Sequence, residues 1–178
     1  METPKIILLI INILGGIAVI GSYILGLKGQ STGTNILWGG VPANIRPVYT
    51  VSMILSALGY FAFLYYIFFQ LNPAQTKIFG ISGFIMFYVM FLFILIPSAF
   101  WMPLTNVYVT NPNTGIWIGI RTVLFIVGLA SIALFSAILT LQGKIFNIAY
   151  WLAVVGSGYF AFHTTVLDAI IWVTLFKR

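Results

Sequence analysis

Five long apolar stretches, separated by short polar segments, constrain this chain more than any other feature of its sequence. They occupy approximately residues 6–27, 47–71, 78–101, 115–141 and 145–176. A helix of about 20 residues crosses the hydrocarbon core of a bilayer, and each stretch reaches that length. The sequence therefore predicts an all-α integral membrane protein, a bundle of five transmembrane helices that forms a single domain over residues 1–178.

The composition points away from a soluble fold. Hydrophobic residues make up 61% of the 178 residues and charged residues 6%, whereas roughly a quarter of the residues in a soluble domain are charged. The net charge of +6 comes from basic residues that are scattered singly, so we expect membrane lipids as partners and no nucleic acid. The absence of Cys excludes disulfides, cysteine-ligated zinc and iron–sulfur clusters.

Prolines and polar residues predict where the helices begin and end. Pro47 suits the first turn of the second helix, and the residue before Pro73 favours the end of that helix. Pro97 should kink or end the third helix, and the uncharged segment 105–113 should connect it to the fourth. The fifth stretch would be about 48 Å long as a helix, so either part of it lies in the interface or the helix tilts.

The basic residues predict an orientation. With five spans, Lys5, Lys77 and Lys144 fall on the face where the chain begins. The residues on the opposite face are Lys28, Arg46, Lys177 and Arg178, with Arg121 just inside the fourth helix. Because basic residues are more frequent on the cytoplasmic side of membrane proteins, the face at which the chain ends is predicted to be cytoplasmic. We call this the C-terminal face.

Arg121, His163 and Asp168 are ionisable residues within the apolar stretches, and such residues are costly and often functional. At about 1.5 Å per residue, Arg121 and Asp168 lie about 9 and 12 Å from the C-terminal face on consecutive antiparallel helices. They are expected to form an ion pair that joins these helices, or a pair that also lines a ligand cavity or a proton path. Arg46 is the alternative partner of Asp168.

His163 is interpreted either as a hydrogen-bonded packing residue or as a group for binding or proton transfer. A spacing of five residues puts His163 and Asp168 about 140° apart on an α-helix, so they should not share a face. A metal site or a two-histidine haem site cannot be assembled from this chain. We predict no catalytic residues, although an intramembrane isomerase that uses Asp168 and His163 is a minority hypothesis.

Trp38, Trp101, Trp117 and Trp172 fall toward the C-terminal face, and Trp151 falls near the other. They form either an aromatic belt at the membrane interface or the walls of a cavity for a flat apolar ligand.

Other residues would complete such a cavity or a packing face. Tyr49, Asn106 and the charged residues would supply polar groups to the cavity. Ala18, Ser22 and Gly26 form a stripe of small residues for packing within the bundle or between protomers, so the partners include a homo-oligomer or a larger membrane complex.

Three short segments resemble one known family. Pro47-Val48-Tyr49-Thr50, Trp101-Met102-Pro103-Leu104 and Leu167-Asp168-Ala169-Ile170-Ile171-Trp172 are similar to segments of the translocator proteins, or tryptophan-rich sensory proteins (TspO). The resemblance implies a cavity among five helices that binds tetrapyrroles or sterol-like lipids, with Trp38, Tyr49, Trp101 and Asp168 near the ligand. Asp168 replaces the Asn that is usual in the family, which puts a negative charge beside the ligand.

These observations favour a small membrane receptor or carrier for an apolar ligand, tetrapyrrole-like or sterol-like, with no catalytic turnover and no required cofactor. The predicted ligand-binding residues are Trp38, Arg46, Tyr49, Trp101, Asn106, Arg121, His163 and Asp168. One alternative is a non-catalytic accessory subunit of a larger membrane complex. The other is a proton-coupled transporter or channel that uses Arg121, His163 and Asp168.

Overall fold

The computed structural model describes residues 2–28 and 37–176, which form five long helices. The helices are α1 Thr3–Lys28, α2 Arg46–Phe69, α3 Phe84–Thr110, α4 Thr114–Thr140 and α5 Ile148–Leu175. Each of them is long and apolar enough to cross a membrane. The predicted all-α five-helix bundle is therefore confirmed, and the protein is a multi-pass membrane protein.

Large apolar side chains cover the outside of the bundle. Leu25 is 73% exposed and Ile148 is 80% exposed, and many other Leu, Ile, Val and Phe side chains are exposed along all five helices. Exposure of such an apolar surface to water would be unfavourable, whereas contact with the acyl chains of lipids is favourable. The inside of the bundle is closely packed, with fully buried side chains such as Phe63, Phe87 and Leu134.

The helices pack in the order α1, α3, α4, α5, α2 around the bundle. Tyr60 of α2 donates a hydrogen bond to the Asn12 side chain of α1, which connects the two ends of this order. Glycines allow the closest approach, between α2 and α5, because a Cβ on Gly59 would lie 2.5 Å from the backbone oxygen of Gly156. Small residues at such crossings are typical of membrane helices.

Helix α3 differs from its predicted bounds at both ends. It continues through Pro97 and Pro103 to Thr110, so the prediction of a connector over 105–113 was wrong for residues 105–110. Water does not reach the backbone in the hydrocarbon core, so backbone N–H and C=O groups must be hydrogen-bonded within the protein. A helix can therefore continue through a proline where nearby side chains supply hydrogen bonds to the backbone. The hydroxyls of Ser98 and Thr105 donate to carbonyls one turn earlier, at 2.6 and 2.8 Å.

The predicted start of α3 at residue 78 was also wrong. Two short antiparallel strands, Lys77–Ile78 and Ile81–Ser82, form a hairpin there, and its turn holds Phe79 and Gly80 at positive φ angles of 52° and 81°. An α-helix cannot include such angles. The backbone N–H of Gln142 donates to the carbonyl of Lys77 at 3.0 Å, so the hairpin packs against the α4–α5 turn.

Most of the polar connector predicted after α1 lies outside the described residues, and so do Lys177 and Arg178. Residues 37–45, which precede α2, are described and lie at the same end of the bundle as Arg46. Val41 in this segment is buried and belongs to the apolar core of that end.

Candidate functional site

The C-terminal part of α5 winds as a π-helix over His163–Trp172. A π-helix joins residues five apart through its backbone hydrogen bonds, instead of four apart. His163 and Asp168 therefore lie on one face, with 3.6 Å between His163 Nε2 and Asp168 Oδ2. The prediction that they lie on different faces assumed α-helical winding, and it was wrong for that reason.

Among residues 2–28 and 37–176, the His163–Asp168 contact is the one contact within 4 Å between a basic and an acidic side chain, and it is an ion pair only when the imidazole is protonated. The His163 side chain is 7% exposed, whereas the Asp168 side chain is 34% exposed. A ligand or a proton can therefore reach the carboxylate more readily than the imidazole. Rare π-helical segments occur frequently at functional sites, and this one holds both ionisable residues of α5.

Arg121 does not form the predicted ion pair with Asp168. Its side chain is exposed. The buried face of α4 carries Ile120 and Leu124, which belong to the apolar core, and Arg121 lies outside that face. Arg46, the alternative partner, donates from Nε to the carbonyl of Val41 at 3.2 Å and lies over the ring of Trp38 at 5.7 Å.

A chain of polar side chains continues from His163 into α2. The Tyr159 hydroxyl donates to Ser52 Oγ at 3.0 Å, and Ser52 Oγ lies 2.9 Å from His163 Nδ1. Since Ser52 accepts from Tyr159, its own proton is available to Nδ1. In the tautomer in which Nδ1 accepts that proton, the imidazole N–H is on Nε2, which faces Asp168. The chain runs from carboxylate to imidazole, hydroxyl and phenol, with the buried Ser52 and His163 between the partly exposed Asp168 and Tyr159.

Aromatic rings of α1, α2 and α3 lie next to the π-helical segment that holds the carboxylate. The ring of Trp101 lies 5.5 Å from the ring of Tyr23 and 5.5 Å from that of Trp172. Tyr23 and Tyr49 both interact electrostatically with Asp168. Tyr49 also donates its hydroxyl to the carbonyl of Leu167 at 3.0 Å, which fixes α2 against the π-helical segment.

One donor at this site has no acceptor. Trp101 Nε1 is buried and makes no hydrogen bond, and it is the one such side-chain atom among the described residues. By contrast, Trp172 Nε1 donates to the carbonyl of Leu37 at 3.2 Å. Because an unsatisfied buried N–H costs about 1–3 kcal/mol, Trp101 offers a place where an acceptor on a bound molecule would be favourable.

The aromatic residues at this end pack on one another. Rings of Tyr108, Trp117, Trp172 and Phe176 lie 4.6–6.3 Å apart. Two grooves lie elsewhere in the described part of the chain. One of about 870 Å³ runs between the start of α1 and the end of α2, near Glu2 and Lys5.

The second groove, of about 500 Å³, runs between α1 and α3 and is lined by Ala18, Ser22, Gly26 and Asn106 among others. Asn106 Nδ2 donates to the carbonyl of Gly26 at 3.2 Å, so Asn106 joins α1 to α3. Gly26 packs against Met102 of α3, whereas Ala18 is exposed.

The arrangement of Ser52, His163 and Asp168 contains the three groups of a nucleophilic triad, but it does not suit nucleophilic attack. Ser52 is 3% exposed, so a substrate cannot reach its oxygen. Within the described residues, no three His, Cys, Asp or Glu side chains lie close enough to hold a metal ion. What the geometry supplies is a carboxylate with aromatic neighbours, an unpaired indole N–H and a polar chain for a proton.

The structure thus brings together Tyr49, Trp101, His163 and Asp168 and places Trp38 and Arg46 beside them. Arg121 is exposed on α4 and does not pair with Asp168, and Asn106 joins α3 to α1. Trp38 contacts Tyr49 with their ring centroids 6.0 Å apart. We refer to Tyr23, Tyr49, Trp101, His163 and Asp168 as the carboxylate site.

Sequence reasoning missed Ser52, Tyr159 and Tyr23. Ser52 and Tyr49 are three residues apart and therefore share a face of α2, which was the available signal for Ser52. The run Thr164-Thr165-Val166 contains three β-branched residues, which disfavour α-helix. This run was the available signal for the unusual winding of α5.

Neither a protein-family model, nor a curated protein, nor a solved structure matches this chain at a significant level.

Proposed function

We propose that this protein is a small membrane receptor or carrier that binds an apolar ligand at the carboxylate site. The observation that carries the proposal is the buried indole N–H of Trp101, which has no acceptor among the described residues. Near it lies a carboxylate whose side chain is 34% exposed within a membrane-spanning helix. A ligand with one acceptor and one donor or positive group would satisfy both.

The resemblance to the translocator protein family supports a tetrapyrrole or a sterol-like lipid as this ligand. Both are flat, largely apolar molecules with few polar groups, and sites for such ligands are lined by aromatic side chains with a few placed polar atoms. Tyr23, Tyr49, Trp101 and Trp172 supply the aromatic surface here. As part of the same proposal, the C-terminal face is cytoplasmic.

Titration of the purified protein in detergent with protoporphyrin IX, and separately with cholesterol, tests the proposal. Tryptophan fluorescence should fall or shift saturably. Trp101→Phe keeps an aromatic ring but removes the N–H, so it should weaken binding by about tenfold, equivalent to about 1.4 kcal/mol. Trp151→Phe is the matched control, because Trp151 is exposed near the opposite face.

No saturable response to either compound would count against the proposal. Equal affinities of the Trp101→Phe and Trp151→Phe variants would remove Trp101 from the site.

A second function, proton-coupled transport, is favoured by a separate observation. Tyr159, Ser52 and His163 are joined by hydrogen bonds of 3.0 and 2.9 Å, and His163 contacts Asp168. Such chains of polar groups mark proton relays in membrane proteins. Liposomes that contain the protein and a pH-sensitive dye should show a proton flux that Asp168→Asn abolishes and that Arg121→Gln leaves intact. Equal flux in all three would exclude this function.

A further inference from the structure

We propose that the carboxylate site takes a lipophilic organic cation, and that this cation binds in exchange for a proton on Asp168. The inference rests on the proposed ligand-binding function and names the class of ligand. It is argued from the charge balance of the site, from the aromatic rings near the carboxylate and from the small number of side chains there that could bind a metal ion.

The charge balance is the first step. Asp168 is an acid within a membrane-spanning helix, and no Lys or Arg forms an ion pair with it in the described ranges. His163 Nδ1 lies 2.9 Å from Ser52 Oγ, and when Ser52 donates to it the imidazole is neutral and presents Nε2–H to the carboxylate. An isolated negative charge is costly in a bilayer. The site is therefore neutral when Asp168 holds either a proton or a cation.

The groups that face Asp168 do not supply this positive charge. Tyr23 of α1, Tyr49 of α2 and His163 of α5 are the titratable groups near the carboxylate. The tyrosines are neutral, and so is His163 when Nδ1 accepts from Ser52. Arg46 of α2 bonds the Val41 carbonyl and lies over the ring of Trp38, and it forms no ion pair with Asp168. On the other two helices, α3 contributes the indole of Trp101, and the cation of α4, Arg121, is exposed. Asp168 is thus the group whose charge changes.

The rings make an organic cation the fitting occupant. Faces of Trp and Tyr rings attract cations, and more strongly where water is excluded. Trp101 lies between Tyr23 and Trp172, with 5.5 Å between ring centroids on each side. A bulky cation with apolar substituents would contact these rings and place its charge near the carboxylate.

A bare metal ion does not fit the same groups. Ca²⁺ takes about 6–8 oxygen ligands and Mg²⁺ about six in near-octahedral geometry. The site offers a single carboxylate, and no cluster of three potential metal ligands exists among the described residues.

Binding of the cation releases one proton. The O–H bond of Asp168 breaks, its proton leaves to the solvent, and the carboxylate pairs with the incoming cation.

Tetraphenylphosphonium and tetraphenylborate make a matched pair of probes, because they share size and shape and carry opposite charges. Binding of each to the purified full-length protein in detergent would be followed by calorimetry between pH 5 and 9, and proton release would be recorded in weak buffer. We expect tetraphenylphosphonium to bind at least about tenfold more tightly than tetraphenylborate. Its affinity should rise about tenfold per pH unit while the free carboxyl is protonated, with a proton released on binding.

Three variants assign the effect to Asp168. Asp168→Asn should abolish the proton release and most of the affinity for tetraphenylphosphonium, and Asp168→Glu should retain both. Arg121→Gln changes the net charge by one unit in the opposite direction at an exposed side chain, and should leave both unchanged. If Asp168→Asn does not fold, the comparison of the two probes on the unaltered protein and on Asp168→Glu decides the matter.

Equal binding of the two probes, or binding of tetraphenylphosphonium without proton release, would overturn this inference. Saturable binding of protoporphyrin IX or cholesterol together with no binding of tetraphenylphosphonium would also overturn it, and would leave the proposed function standing. Absence of saturable binding for all of these compounds would remove both.

Discussion

At the scale of single residues, Ser52 is the junction of the site. It accepts a hydrogen bond from Tyr159 and bonds His163 Nδ1, and it is buried between α2 and α5. Nothing in the composition of α2 identifies it, because serine is common at helix contacts in membranes. Its role follows only from the π-helical winding of α5, which determines where the imidazole lies.

We predict that Ser52→Ala lowers the free energy of unfolding by about 1–3 kcal/mol, because two partners lose a buried hydrogen bond. Since Ser52 and Tyr159 act through the same bond, Ser52→Ala and Tyr159→Phe should be non-additive, with a coupling energy of about 0.5–3 kcal/mol. Unfolding in sodium dodecyl sulfate, followed by circular dichroism, measures the free energy of unfolding of the two single variants and of the double variant.

Thr140→Ala is the control for these measurements. Thr140 is exposed and its hydroxyl bonds only carbonyls of its own helix, including that of Ser136 at 2.8 Å. Its substitution should change the unfolding free energy by less than about 0.5 kcal/mol. Additive effects of Ser52→Ala and Tyr159→Phe would show that the chain of hydrogen bonds does not exist in the folded protein.

At the scale of elements, the contact between α2 and α5 depends on glycine. A Cβ on Gly59 would lie 2.5 Å from a backbone oxygen of α5, whereas a Cβ on Gly16 of α1 would meet no atom within 4 Å. The two glycines thus offer the same substitution in opposite surroundings. The α2–α5 contact matters for function because Ser52 reaches His163 across it.

We predict opposite signs for Gly59→Ala and Gly16→Ala. Gly59→Ala should destabilise the protein by about 1–3 kcal/mol, because the helix backbones must move apart. Gly16→Ala should stabilise it by up to about 1 kcal/mol, because alanine favours helix and nothing obstructs its methyl group. Thermal unfolding in detergent compares the two, and a stabilising Gly59→Ala would contradict the close approach of α2 and α5.

The sequence predicts the five helices well because lipid imposes one rule on all of them, namely long apolar stretches with internally bonded backbones. It predicts the carboxylate site only in part. Tyr49, Trp101, His163 and Asp168 stand out as polar or aromatic residues in apolar stretches. The missing partner, Ser52, and the wrong partner, Arg121, both follow from assuming that α5 winds uniformly and that ionisable residues at equal depth must face each other.

At the scale of the whole molecule, the five helices carry the chain from one face of the membrane to the other. Lys77 and Lys144 lie at one end of the bundle, because the hairpin contacts the α4–α5 turn there. Arg46 lies at the opposite end, at the start of α2. This distribution of basic residues is the basis for the proposed orientation.

The absence of Cys makes the orientation directly measurable. We predict that Asn113→Cys and Lys144→Cys, at opposite ends of α4, are labelled from opposite sides of the membrane. With a membrane-impermeant maleimide on intact cells, Lys144→Cys should react, and Asn113→Cys should react only after permeabilisation. Labelling of both from one side would contradict the crossing by α4, and the reversed pattern would reverse the orientation.

The π-helical winding of α5 also affects how this chain should be compared with others. A turn closed between residues five apart contains more residues than an α-helical turn. A relative with an α-helical fifth helix would therefore place the equivalents of His163 and Asp168 on one face with a shorter spacing. An ungapped alignment that matches one of these two residues to its equivalent would then misalign the other. Relatives of this protein should be sought by superposing helical turns at this segment, and gaps should be allowed within it.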